Sequence, residues 1–393
     1  MILSVFLLGL APTAPAQEPK NIGPKEVLLE GCRRCDFTGV VACNKHPKEL
    51  GAMEHEVEFC TVAAQCKTCQ GALFTACAKC DGGPQTEPMV ARRASITEWF
   101  GRPHDLENFL EKSLLRIETP HLRLAGDVKE LREGKKGVSG HLLMHRVARD
   151  GELVAKKIAE HFQVKPKDYR SPMRLWFWNE AATHRKVMLH FLGSGSAGDF
   201  KWLGKHPRFS AHCGDNTFKF DASSLHSLGV HNVGHMLISN LFVEMWIGDM
   251  QGGWFDSGSA HWYEEFVFKR VQNHCIDEIA HALDYHKGIW RSALRNKMSK
   301  EDEAVAVLPS LLRKLTGTMM PVEHAQAWSF YDWLVHNHTD TLAPILKGLK
   351  RNIPERELFP KYLDMNLRQA EVAWRLWVQE TYPKKEPRQK KGR

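Results

Sequence analysis

Eight of the ten cysteines lie between Cys32 and Cys80, and their spacing limits how that region can fold more than any other feature of the chain. Cys32-x2-Cys35 is followed by Cys43-x2-His46, and Cys66-x2-Cys69 by Cys77-x2-Cys80. Both sets obey one rule (pair, seven residues, pair), and the second repeats the first 34 positions later. Two ligands at i and i+3 on a tight turn grip one side of a Zn2+ ion, and a second turn supplies the other side. His46 stands where the repeat otherwise has cysteine. Imidazole replaces thiolate as a tetrahedral zinc ligand but cannot form a disulfide, so the exchange favours metal. Glycines after the pairs, Gly39, Gly71, Gly82 and Gly83, permit the positive φ that such turns need. The expected ligands are Cys32, Cys35, Cys43, His46, Cys66, Cys69, Cys77 and Cys80, holding about two Zn2+ ions. Spacing leaves open whether each set holds its own ion or pairs cross between sets. A disulfide framework or redox-active C-x2-C pairs are the competing readings. Cys60 falls outside both sets. Cys213 and Cys275 either pair or lie buried as small hydrophobes.

The stretch CKTCQGALFTACAKCDGG resembles the cysteine-rich zinc module of DnaJ-type chaperones, where C-x2-C-x-G units recur. The resemblance covers about 50 residues, and the module is expected over 28–83.

The length of 393 residues allows two or three domains. A formal charge of +8 suggests nucleic acid at first sight, but the last ten residues carry a net +5 of it. That run reads as a solvated basic tail over 383–393, and no nucleic-acid partner is expected. The N-terminal MILSVFLLGLAPTAPAQ has a short apolar run leading into Ala14-Pro15-Ala16, which resembles a signal peptide over 1–16 and implies an exported protein. Nowhere are there about 18 consecutive apolar residues, so no membrane span is expected.

DGGPQTEPMVAR at 81–92 reads as a linker, part of a connecting region over 84–113 with a helix from Leu106 to Leu115. Apolar patterning then predicts a strand at Ile117–Leu124 and a long helix at Val138–Phe162. A strand at Met173–Trp178, a helix at Glu180–Leu192 and a strand at Phe218–Phe220 follow, and helices dominate after residue 224. A small sheet with a helical half, preceded by a zinc-stabilised module, is an α+β layout. Tryptophans 254, 262, 328, 374 and 377 are expected in the core.

Within Leu225–Trp246, His231 and His235 are four apart and face one side of a helix, the spacing that offers two imidazoles to one zinc. His141 and His145 share it, and about one such pair is expected by chance. The bland reading of either is a satisfied helix face. Context separates them. A Gly-Gly break at 252 and 253 follows the second pair, and then WFDSGSAHWYEE.

HNVGH and this segment resemble the H-E-x-x-H and W-L-x-E-G-x-A-x-Y zinc-site segments of gluzincin, or peptidase MA-like, metallopeptidases. IETPHLRL at 117–124, HAQAWSFYDWLV at 324–335 and AEVAWRLWVQETY at 370–382 extend the resemblance over roughly 114–382. It implies zinc at His231 and His235 and a peptidase active site. Three letters depart from it. Asn232 stands at the general-base position, where an amide has no accessible pKa for proton transfer. Ser257 stands where the third ligand, also glutamate, belongs, and neutral serine is a poor zinc ligand. His261, one turn on, and Asp256 are the alternative third ligands, and His324 stands where relatives often have a tyrosine that stabilises the transition state. The reading is an exported zinc-binding pseudo-metallopeptidase that binds a protein or peptide. The alternatives are an active zinc metallopeptidase with a rearranged site, and a thiol-disulfide or chaperone-like protein using the C-x2-C pairs.

Overall fold

A computed structural model describes residues 32–35, 39–46, 57–79, 87–165, 168–169, 171–203, 206–214, 219–242, 247–273, 285–299 and 306–385. The signal-peptide reading, Cys80, Cys275, Gly82 and Gly83, and most of the basic tail lie outside them. The chain divides into two compact units. One takes the described residues up to His46 together with Ala63–Gly101; the other takes those of Pro47–Val62 together with Arg102–Arg393.

In the first unit, β1 (Val40–Ala42) and β3 (Phe74–Ala76) pair antiparallel, Val40 opposite Ala76 and Ala42 opposite Phe74. The ladder extends by one bond at each end, Cys43 N–H to the Leu73 carbonyl and Cys77 N–H to the Gly39 carbonyl. Gly39 and Gly71 adopt φ of 76° and 83°, the left-handed conformation anticipated for the turns. A Cβ on Gly71 would meet Ile96 Cγ2 at 2.2 Å, so the ligand turn packs directly on helix α1 (Glu87–Gly101). That helix begins inside the stretch read as a linker. Pro88 falls in its first turn, where a missing N–H breaks no intrahelical bond, so the proline that suggested a linker is compatible with a helix start.

The second unit is built on a six-stranded mixed sheet in the order β2-β4-β5-β8-β10-β9. Its strands are β2 (Phe59–Cys60), β4 (Leu115–Glu118), β5 (Leu122–Gly126), β8 (Met173–Trp178), β10 (Arg208–His212) and β9 (Phe200–Trp202). β8 lies parallel to β5 and β10, and all its residues but Arg174 are buried, as its continuous apolar run predicts. The segment Ile117–Leu124 is not one strand. It is the turn of the β4–β5 hairpin, broken at Pro120, which has no N–H to give to a ladder. Helix α2 spans Asp105–Leu110 and ends at Glu111 in the left-handed conformation, so Leu115 opens a strand rather than closing a helix. Of the strand expected at Phe218–Phe220, Phe218 lies outside the described residues, and Lys219 and Phe220 form a turn at positive φ.

A further hairpin, β6 (Glu130–Glu133) and β7 (Lys136–Ser139), leads into α3 (Gly140–Phe162). Ser139 Oγ caps α3 by accepting from Leu142 N–H. Helix α4 (Ala181–Leu192) follows β8, and everything after residue 222 is helical or irregular among the described residues. The main helices there are α5 (Ala222–Asn240), α6 (Gly253–Phe268), α7 (Arg291–Ser299), α8 (Pro321–Asn337), α9 (Leu342–Leu349), α10 (Glu355–Leu363) and α11 (Leu367–Thr381). The α+β layout is thus as expected. No helix among the described residues is long and apolar enough to cross a membrane.

Small residues let the central helices approach closely. A Cβ on Gly234 of α5 would lie 3.3 Å from Ala260 Cα of α6, and one on Gly258 would lie 2.5 Å from the Ala327 carbonyl of α8. The C-terminal end of α5 is closed by Lys350, fully buried, whose Nζ donates to the carbonyls of Ser239 and Leu241 at 2.6 and 2.8 Å. A cation there meets the negative end of the helix dipole. Trp254, Trp262, Trp328 and Trp374 are core residues, while Trp377 is half-buried.

Asp332 of α8, only 1% exposed, ties four elements together. It accepts from Trp262 Nε1 at 2.7 Å and Tyr382 OH at 2.9 Å, and pairs with Arg291 and His336. Burial pushes its carboxyl upward, but the bonds and charges of His336, Arg291 and Trp262 win and hold it below the usual range. The hydrogen bond to Asp332 in turn raises His336. Asp332→Ala is expected to cost about 3 kcal/mol by stranding those donors. The pair is charged on both sides only between the carboxylate and imidazole ranges. A raised His336 contributes stability that is complete below about pH 6.5 and fades as pH rises through its folded pKa. The stability gap between wild type and His336→Gln, read by urea titration, should therefore be widest near pH 5.5 and shrink by pH 9.

Candidate metal centres

Antiparallel pairing of β1 and β3 decides which ligands meet. The first pair precedes β1 and the second follows it; the third precedes β3 and the fourth follows it. Antiparallel strands set the end of one beside the start of the other, so second meets third and first meets fourth. Cys43, His46, Cys66 and Cys69 accordingly form one cluster and Cys32, Cys35 and Cys77 another, each with donor atoms within 4.8 Å of one another. Cys80, the remaining expected member, lies outside the described residues. The pairing that spacing left open is crossed.

The distances suit an ion. Cys43 and Cys66 Sγ are 4.0 Å apart, Cys32 and Cys77 Sγ 3.9 Å, and His46 Nε2 lies 3.2 Å from Cys69 Sγ. Tetrahedral Zn–S bonds of ~2.3 Å place sulfurs about 3.8 Å apart, whereas a disulfide needs ~2.05 Å. Among the described residues no two cysteines are joined by a disulfide. Burial raises the Cys66 thiol, but backbone N–H groups at Cys69 and Thr68 outweigh it and bring it down to about 7. Burial pushes Cys69 up to about 12, a cost that a bound cation would remove. Cys213 is a fully buried thiol, also pushed up to about 12 by burial, and behaves as a small hydrophobe.

A third candidate centre lies between α5 and α6. The Nε2 atoms of His231 and His235 face each other at 3.1 Å. Behind them, His231 Nδ1 meets Glu264 Oε2 at 2.9 Å and His235 Nδ1 meets Asp256 Oδ1 at 2.8 Å. Carboxylate behind imidazole is the arrangement that orients metal-bound histidine. Each carboxylate is itself held, Glu264 by Gln272 N–H and the Asn273 amide, Asp256 by Thr316 Oγ1. Burial pushes Glu264 up to about 8 and Asp256 to about 6, and holds His235 far below the ordinary imidazole range. A cation between the Nε2 atoms would supply the charge that these carboxylates otherwise lack.

The other expected members point elsewhere. The Asn232 amide donates to the Leu228 carbonyl one turn back at 3.0 Å. Ser257 Oγ is bonded to His324 Nδ1 at 2.6 Å. His261 packs 4.9 Å from the His231 ring, but its Nδ1 and Nε2 face the carbonyls of Ser257 and Asn273 at 2.7 and 2.9 Å. Asp256 serves His235 from the Nδ1 side, behind the imidazole rather than at its metal-binding edge. The described residues thus fit a two-imidazole anchor but do not complete a three-ligand hydrolytic site. Sequence reasoning missed Glu264 and the supporting role of Asp256; the available signal was Asp256 and Glu264 spaced along WFDSGSAHWYEE, whose third acid is Glu265.

Crossed pairing predicts the outcome of paired cysteine substitutions. Cys43→Ser with Cys66→Ser should release one zinc per chain, measured by plasma mass spectrometry, because both belong to one centre. Cys32→Ser with Cys43→Ser should release two. The reverse pattern would mean that each sequential set holds its own ion. No family model matches this chain and no curated protein matches it, so the geometry of these centres carries the functional reading.

Proposed function

We propose that this chain is an exported zinc-binding protein whose second unit is a non-hydrolytic relative of gluzincin peptidases, and that it engages protein or peptide partners. One observation carries the reading. Both positions where the resemblance calls for glutamate hold neutral side chains already hydrogen-bonded within the protein, Asn232 to Leu228 and Ser257 to His324. Loss of a general base alone typically costs ~10²–10⁴-fold in rate. His231 and His235 are only 3% and 0% exposed, which supports a structural rather than a catalytic ion. Against a rearranged hydrolase stand the positions of Asp256 and His261, neither of which offers a donor beside the paired Nε2 atoms. The cysteine unit is the proposed docking element, because zinc ions at its two clusters would hold its short strands rigid.

A broad peptide library with zinc present tests both halves. The wild type should release no more product than His231→Ala, and cleavage that disappears in that variant would overturn the pseudoenzyme reading. The same library immobilised should retain the wild-type chain, and lose it when the cysteine unit is stripped with chelator. Equal retention before and after stripping would remove the docking role from that unit.

A further inference from the structure

We propose that Cys60, His141 and His145 form a further metal site, a thiolate with two imidazoles for a divalent transition ion of the zinc class, inside the second unit. Neither the cysteine repeat nor the His231–His235 motif includes these residues. Cys60 ends β2, the edge strand, opposite Ile117 of β4. His141 and His145 occupy successive turns at the start of α3 and face the same way. The three donor atoms lie within 4.8 Å of one another. His141 Nε2 stands 3.2 Å from Cys60 Sγ and 3.0 Å from His145 Nε2. Cys60 and His145 are 1% and 0% exposed, and His141 is half-buried.

Hydrogen bookkeeping favours an ion over a hydrogen-bonded core. An imidazole Nε2 carries either one hydrogen or one lone pair. His141 Nε2 faces two neighbours, so a proton can serve one of those contacts well and leaves the other mismatched. Two other buried histidines in this unit avoid the problem by meeting hydroxyls, which donate and accept: His161 Nδ1 meets Tyr263 OH at 3.0 Å and His184 Nδ1 meets Ser210 Oγ at 2.9 Å. A cation uses all three lone pairs at once. Zinc bonds of ~2.3 Å to sulfur and ~2.05 Å to nitrogen would set these atoms about 3.3–3.6 Å apart, an opening of a few tenths of an ångström. Mixed sulfur and nitrogen donors select zinc or its soft neighbours and exclude Mg2+ and Ca2+, which require oxygen. An ion here would clamp the edge strand to α3. Donors 81 residues apart in the chain would thereby be joined.

Metal content of the full-length protein tests the site independently of the peptidase and docking readings. Cys60→Ala and His145→Gln should each lower bound zinc by one ion per chain relative to wild type. Cys213→Ala, which removes a buried thiol outside every cluster, should lower it by none. His141→Ala guards against misfolding, since its half-buried side chain at a helix start is the least disruptive of the three to remove. It too should lose one ion while keeping wild-type helicity. Cobalt substitution gives a second reading: the difference spectrum between wild type and Cys60→Ala should contain a thiolate-to-cobalt charge-transfer band. Unchanged zinc content in a folded His141→Ala, or a featureless cobalt difference spectrum, would overturn the proposal.

Discussion

Two histidines on one helix, each backed by a carboxylate from the next, set how the helical half is assembled. His231–Glu264 and His235–Asp256 bridge α5 and α6 in a fully buried layer. Buried ionisable groups are tolerated only when paired, so the two helices are held in one register rather than merely in contact. Gly234 against Ala260 permits the approach that these bonds require. From α6 the constraint passes to α8 through Gly258 against Ala327, Ser257 with His324 and Trp262 with Asp332. The same layer that resembles a catalytic centre therefore serves as the packing reference for its neighbours.

The cysteine unit follows a different logic. Its strands have three residues each, too short to stand alone in water. The ligand clusters sit at the two ends of this ladder, where bound ions would hold strands too short to hold themselves. Between His46 and Cys66 the chain leaves this unit and contributes β2 to the other sheet before returning. Cys60 belongs to a separate cluster for that reason, although it lies among the repeat's cysteines in sequence.

Features set by local pattern were legible in the sequence. The largely apolar run Met173–Trp178 reads as a buried strand and is one, and the apolar periodicity ending at Phe162 reads as a helix face and is one. The donor residues of both cysteine clusters within the described chain were legible too, because tight turns impose spacing. Pairings made by tertiary topology were not. Spacing alone does not say that β1 and β3 run antiparallel, and that direction decides which thiols share a cluster. Nothing local links Cys60 to His141, or identifies Glu264 as the acid behind His231. The hairpin at Ile117–Leu124 was missed although Pro120 marked it, because a strong apolar pattern on both sides outweighed a single breaker.

The crossed arrangement also has a direction in time. Donors run along the chain as outer, inner, inner, outer, so one cluster is nested within the other. During synthesis from the N-terminus, every inner ligand has been made once Cys69 is added, while Cys32 and Cys35 still await Cys77. An ion captured by the inner cluster would tie off the intervening segment and shorten the 45-residue loop that the outer cluster must close. The remaining loop is less than half as long, which lowers its closure cost by about 0.8 kcal/mol. Nesting would thus make a first bound ion the template for a second.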